Sequence, residues 1–265
     1  MMRIQRAAER YPGGDPAAGI ETRHALSFGP YYDPDNLRFG AVLACNEERL
    51  APGAGFDEHP HSHTEIVTWV VQGELTHHDT AGHTTVVRPG DLQRLGSAGG
   101  VRHVERNDAD VPLVFVQMWL APLVPGGEPA YEVVRGLDGP YELPAADARL
   151  HVLRAAAGEH TAVPAADFAY VHVVRGTVRL DVAPGADAGA DAGAGAATDP
   201  GPGATDLGPG GTDPGPGGTD LGPDSADLGP GDAARLTDAG GGTLVATTGA
   251  EVLVWEMRDR RKGLG

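Results

Sequence analysis

The chain has a single cysteine, Cys45, in 265 residues. It can therefore form no intramolecular disulfide and no cysteine-rich metal site, and a reducing compartment suits it. It also lacks an apolar run long enough to cross a bilayer. Its first residues, Met1-Met2-Arg3-Ile4-Gln5-Arg6, offer no apolar stretch of the kind a secretory leader needs. A cytoplasmic protein is the expectation. Basic residues are scarce: 20 Lys and Arg stand against 37 Asp and Glu, a formal net charge of −17. That balance disfavours nucleic acid or an anionic membrane as a direct partner. Strongly helical periodicity is missing from the N-terminal half. Apolar residues nevertheless make up 40% of the chain, enough for a core in one large or two ordinary domains.

What is present reads as strand. Residues 1–40 are rich in turn formers and suggest loops and short strands. Residues 39–45 are a first apolar run, and residues 66–71 are β-branched and aromatic, hence a strand. Gln72-Gly73-Glu74 turns that strand, and Leu75 starts the next. Residues 84–87 form another, closed by the turn signal Arg88-Pro89-Gly90-Asp91, and residues 111–120 make a long apolar strand. Short strands with Gly/Pro turns at close spacing predict an all-β barrel or sandwich.

The pattern occurs twice. Trp69-Val70-Val71-Gln72-Gly73-Glu74-Leu75 returns as His172-Val173-Val174-Arg175-Gly176-Thr177-Val178, an offset of 103. Pro89-Gly90-Asp91-Leu92-Gln93-Arg94-Leu95 returns as Pro230-Gly231-Asp232-Ala233-Ala234-Arg235-Leu236, an offset of 141. The second copy thus carries an insertion of 38 residues, the difference of the two offsets. It falls in the Gly/Pro/Ala/Asp/Thr stretch at about 184–229, where a seven-residue unit starts at Thr198, Thr205, Thr212 and Thr219. Gly and Pro in every unit forbid a helix. Between Arg179 and Arg235 there is no Lys or Arg and there are ten Asp, which predicts a disordered, self-repelling acidic loop. The division expected is an N-terminal unit over 1–125, a linker over 126–145 and a C-terminal unit over 146–265.

The chemistry gathers in His59-Pro60-His61-Ser62-His63-Thr64-Glu65 and in His103-Val104-Glu105. Residues two apart on a strand share a face, so His59 points with His61, and His103 with Glu105. Brought together across a barrel, the two pairs supply three imidazoles and one carboxylate, a set that suits a first-row divalent metal with open positions. His63 and Glu65 share the strand parity of His59 and His61, so spacing alone leaves them in the set. His77, His78 and His83 read as exposed loop histidines or as partners of a ligand, and His172 as a histidine at the core edge. Projected through the first offset, His59 falls on Ala162, His61 on Pro164, His63 on Ala166 and Glu65 on Phe168. Through the second, His103 falls on Leu244 and Glu105 on Ala246. The scaffold can do without these groups, so the first copy holds them for chemistry, with one metal per chain.

With these motifs the sequence resembles the pirin family of bicupins, in particular its shorter bacterial members. The carrying stretches are Thr22-Arg23-His24-Ala25-Leu26-Ser27-Phe28-Gly29-Pro30-Tyr31-Tyr32-Asp33-Pro34, His59-Pro60-His61 with Glu65, Gly73-Glu74 with His77 and Asp79, Pro89-Gly90-Asp91, and Ser97-Ala98-Gly99-Gly100-Val101-Arg102-His103-Val104-Glu105. The match covers most of the chain outside the repeats. The resemblance implies two tandem cupin barrels, double-stranded β-helices of jelly-roll type. It also implies one divalent transition metal, Fe(II) first with Mn, Co, Ni, Cu or Zn as alternatives, on His59, His61, His103 and Glu105. Glu65 then supports a ligand without binding the metal, and His63 departs from the family pattern.

The resemblance further implies a quercetin 2,3-dioxygenase-like activity on a phenolic or enolic substrate and O2. Glu105, if it loosens from the metal, and His63 are the candidate bases. The alternative it implies is a non-enzymatic, iron-dependent redox sensor that binds a transcription factor or a metabolic enzyme. A monomer is expected, and the acidic balance permits a protein partner with a basic face.

Overall fold

The computed structural model describes residues 1–183 and 224–262. Among the described residues there is no α-helix, only strands and four short 3-10 turns, and no helix long and apolar enough to cross a membrane. The strands in chain order begin with β1 (Met2–Gln5), β2 (Tyr11–Gly13), β3 (Ile20–His24), β4 (Val42–Leu50), β5 (Gly55–His61), β6 (Glu65–Gln72) and β7 (Leu75–Asp79). There follow β8 (Thr84–Val87), β9 (Leu92–Gly96), β10 (Val101–Arg106), β11 (Leu113–Leu120), β12 (Ala130–Val134), β13 (Tyr141–Leu143) and β14 (Ala148–Ala155). The last are β15 (His160–Val163), β16 (Ala166–Arg175), β17 (Val178–Val182), β18 (Ser225–Leu228), β19 (Ala233–Ala239), β20 (Gly242–Ala246) and β21 (Ala250–Met257).

The first barrel pairs a seven-stranded sheet, β12-β9-β6-β11-β4-β3-β2, with a four-stranded sheet, β5-β10-β7-β8. The second pairs β1-β19-β16-β21-β14-β13 with β15-β20-β17-β18. Every strand from β3 to β11 has its counterpart ten places later in the same spatial order, so the repeat in the sequence is a repeat of the bicupin fold. The repeated Gly-turn has a physical cause. Gly73 and Gly176 both sit at positive φ, 78° and 73°, and a Cβ on either would collide with a carbonyl oxygen, that of Pro112 or of Gly249.

The large sheets pack outer face against outer face. Cys45, Val67, Trp69, Val116 and Met118 of the first meet Leu150, Tyr170, Leu253, Trp255 and Met257 of the second. Inside the second barrel, Val171, Leu180, Leu236, Leu244, Val252 and Val254 fill the lumen. The first barrel is layered instead. Leu50, Val70, Leu75, Leu113 and Phe115 close one end, and Ile66, Leu95 and Val101, with Trp119 and Tyr131 against them, stand towards the other. Between the two layers the residues are polar.

Three boundaries and one repeat offset differ from those read in the sequence. β1 pairs with β19, Met2 opposite Leu236, so the first residues complete the second barrel, where they cover an edge that β12 covers on the first. Residues 126–145 are more than a linker: they contain β12, which pairs with β9, and β13, which pairs with β14. The insertion is shorter at its C-terminal end than 229. β18 pairs with β17 and buries Ala226 and Leu228, an alternation hidden among flanking Gly, Pro and Asp. The heptad repeats themselves lie outside the described residues. Finally, Val163, opposite Gly242, holds the place that His61 holds opposite Val101, and Thr161, opposite Leu244, holds that of His59 opposite His103. Along β5 the offset is therefore 102 and not 103, because the chain from β15 into β16 is one residue longer. The counterparts of His59 and His61 are Thr161 and Val163.

Candidate metal centre

β5 and β10 run antiparallel with His103 opposite His59 and Val101 opposite His61. β10 alternates cleanly: Val101, His103 and Glu105 are buried, while Arg102 faces solvent and bonds Glu58 at 2.7 Å. The inward row is thus fixed by period-two packing. His59 Nδ1 donates to the Asp57 carbonyl at 2.7 Å, which leaves Nε2 with its lone pair; that atom is 3.0 Å from His103 Nε2. His61 Nε2 is buried with no hydrogen-bond partner. One ring nitrogen from each of the three lies within 4.8 Å of the others. Burial first, then the neighbouring imidazoles, lowers His61 to about 4 and His103 to about 3. Three imidazoles converge here, two of them held neutral by burial, and His61 Nε2 has no hydrogen-bond partner, a donor set that a divalent cation fits.

Glu105 is buried on the same face of β10, after a bulge between His103 and Glu105. It forms a second group with His103 and His77, again within 4.8 Å. His103 is the common member of the two groups, and Glu105 is grouped with His77 and His103, not with His59 and His61. Gln93 Nε2 donates to Glu105 Oε1 at 3.2 Å, and Gln117 Nε2 to Oε2 at 2.7 Å. A carboxylate offers about four lone-pair sites, so acceptor capacity remains for an ion.

The other sequence candidates lie apart. His63 is exposed, with φ 57°, in the turn that follows β5, and belongs to neither group. Strand parity does not survive a left-handed turn, which corrects its reading as an inward base. Glu65 begins β6 and is bound to Arg94 at 2.8 Å, and it belongs to neither group. His77 is buried, opposite Glu105 across β7 and β10, with Nε2 3.1 Å from Asp79 Oδ2 and Nδ1 unpartnered. Asp79 also accepts from His83 Nδ1 at 2.8 Å, and the Tyr131 ring stacks on both His77 and His83. His78 is exposed and bonds Thr84. His172 is fully buried between the barrels, not at a core edge.

Residues that strand patterning did not single out line the rest of the lumen. His24 Nδ1 and Asn46 Oδ1 are 3.0 Å apart, and Thr22 Oγ1 donates to Glu48 at 2.5 Å. Burial, reinforced by the Glu105 charge and opposed by the bonds from Thr22 and Asn46, pushes the Glu48 carboxyl up to about 8. An aromatic file runs from His61 to His24. His61 meets Trp119 edge-on at 4.9 Å, Trp119 meets Phe28 at 5.2 Å, and Phe28 stacks on His24 at 4.7 Å. One signal was in the sequence: Thr68 and Gln93 become Val171 and Ala234 in the second copy.

The family model described as Pirin matches residues 3–120, which span all four candidate ligands. A Mycobacterium tuberculosis protein, whose quercetin 2,3-dioxygenase name is itself provisional, is 33% identical over 96% of this chain and 94% of its own length. The quercetin 2,3-dioxygenase of Escherichia coli K12 is 34% identical over 50% of this chain and 57% of its own. Among solved structures, the bacterial pirin YhhW of Escherichia coli in complex with nickel(II) superposes with a TM-score of 0.75 at 23% identity, over 97% of this chain and 99% of that one. Relatedness along nearly the whole length, joined to a duplicated barrel whose clustered histidines, among the described residues, lie in the first copy, means that the chain belongs to the pirin family.

Proposed function

We propose that this pirin is a dioxygenase of phenolic or enolic substrates, with quercetin-like flavonols as the model class, acting in the cytoplasm as a monomer. The observation that carries the reading is the convergence of three imidazoles inside one barrel, with a carboxylate beside one of them, at positions that are apolar or hydroxylic in the other. His59, His61, His103 and Glu105 hold one divalent metal, Fe(II) first. When bound, it supplies Lewis acidity and a template for the substrate oxygen and O2. The file Trp119–Phe28–His24 gives a flat ring an aromatic wall beside His61. Glu48 takes the substrate hydroxyl proton, in place of His63, which is exposed, and of Glu105, whose two oxygens already accept amides. A lumen carboxyl shifted to about 8 is mostly protonated at neutral pH, so it acts as the base through its ionised fraction, and uptake should rise as pH climbs towards 8.

The test is metal analysis followed by oxygen uptake with a panel of flavonols and simple phenols. The reading expects stoichiometric metal and metal-dependent uptake that Glu48→Gln lowers roughly 10²–10⁴-fold without changing metal content. Stoichiometric metal without uptake on any substrate would overturn it in favour of a metal-dependent regulator that binds a protein partner.

A further inference from the structure

Five buried polar residues of the large sheet in the first barrel form one straight row. His24 lies opposite Asn46 across β3 and β4, Asn46 opposite Gln117, Gln117 opposite Thr68, and Thr68 opposite Gln93. Five neighbouring strands thus present polar side chains at one level, and Glu105 comes down on that level from the small sheet. The corresponding row of the second barrel is His151, Val254, Val171 and Ala234, each opposite the next. Where Gln117, Thr68 and Gln93 stand in one copy, Val254, Val171 and Ala234 stand in the other, packed in the apolar core. The fold does not need polar groups there, and burying amides without partners is costly. The partner that accounts for both glutamines is Glu105.

Each glutamine is itself oriented. Trp119 Nε1 donates to Gln117 Oε1 at 3.0 Å, and Tyr131 Oη donates to Gln93 Oε1 at 3.0 Å. An indole N–H can only donate, so Gln117 must turn its oxygen to Trp119 and its NH2 to Glu105. The carboxylate is held on both oxygens by two chains of the same kind, each running from an aromatic donor through an amide to the ligand.

We infer that Gln93 and Gln117, set by Tyr131 and Trp119, are positioning residues that clamp Glu105 in the geometry of a metal ligand. The clamp explains how a carboxylate that follows a β-bulge can keep one orientation, and it argues against Glu105 as a mobile base. It also joins the centre to the aromatic file, because Trp119 touches both His61 and, through Gln117, Glu105. The inference rests on the reading that Glu105 is a ligand.

The experiment uses the full chain loaded with Co(II), whose d–d absorption reports ligand geometry. Gln117→Leu and Gln93→Leu should each weaken Co(II) binding roughly 10–100-fold, the usual effect of losing a group that orients a ligand, and should shift the d–d band. Trp119→Phe and Tyr131→Phe keep the rings and glutamines in place; they should shift the band in the same sense with a loss of a few fold. Trp119→Phe combined with Gln117→Leu should bind no more weakly than Gln117→Leu alone, since the two act in one chain. Unchanged affinity and unchanged spectra in all four single variants, while Glu105→Gln loses Co(II), would overturn the clamp and leave the ligand set standing. If Glu105→Gln binds Co(II) like the unsubstituted chain, the ligand set itself fails. Lower thermal midpoints with unaltered spectra would reduce the glutamines to packing and sink the inference.

Discussion

Arg10 Nη2 donates to His172 Nδ1 at 2.8 Å, and both side chains are buried. A guanidinium cannot accept, so the imidazole is neutral with its proton on Nε2, which lies 3.2 Å from Glu47 Oε1. Burial, then the Arg10 charge, lowers the His172 pKa. Arg10 also donates to the Gly231 carbonyl at 2.8 Å and lies 3.4 Å from the Cys45 carbonyl. One side chain near the N-terminus therefore ties the sheet of the first barrel to a turn and a strand of the second. It acts beside β1, which has already crossed over.

This contact gives the first prediction. Arg10→Leu strands His172 Nδ1 and the Gly231 carbonyl, and should cost about 1–3 kcal/mol for each buried group left unpaired. Urea unfolding measures the loss. Metal affinity should not change, because neither residue belongs to the histidine groups; a parallel loss of metal would mean that the barrels are coupled through this contact.

Glu48 sets a pH dependence. Its folded pKa of about 8 lies above the ordinary 4.5. Between those values the native chain binds a proton that the unfolded chain does not. The stability this contributes is complete below 4.5 and is lost as pH rises through about 8. The thermal midpoint of metal-free protein should therefore drop from this source across that window, and Glu48→Gln should flatten the slope. An identical slope in the variant would show that Glu48 is ionised at neutral pH.

The clustered histidines act with the opposite sign. His61 and His103 fall from 6.5 to about 4 and about 3. Their contribution is complete above 6.5 and is lost as pH falls through the folded values, since the unfolded state binds the extra protons. His103→Leu should abolish stoichiometric metal, a larger effect than the roughly 10–100-fold of an orienting group. The same substitution should make the metal-free chain more acid-resistant, because Leu244 occupies this place in the second barrel. Acid titration monitored by circular dichroism, beside metal analysis, checks both halves.

The insertion can be removed if the cut respects β18. Val182 N donates to the Asp224 carbonyl at 2.7 Å, so the two ends already meet. Replacing residues 184–223 by a two-residue turn should leave the melting temperature within a few degrees and the metal content intact, since closure entropy changes slowly with loop length. Extending the deletion to residue 229 removes Ala226 and Leu228 from the core and should be markedly destabilising. Equal behaviour of the two deletions would mean that β18 contributes nothing.

Local chemistry in the sequence determined much of this protein. Alternation along β10 placed His103 and Glu105 on one face, Pro60 held the chain extended between His59 and His61, and paired Gly turns exposed the duplication. These depend on neighbours a few residues apart, and pattern reads them well. Tertiary structure decided what depends on pairing between distant strands. The row from His24 to Gln93 exists only because five strands meet in one register, and register is fixed by which face each strand buries. His63 left the site because one left-handed residue ended the strand parity that would have carried it inward. β1 joined the far barrel because an open sheet edge beside β19 needed a strand, a demand made about 230 residues away in the chain, where no local pattern near β1 could register it.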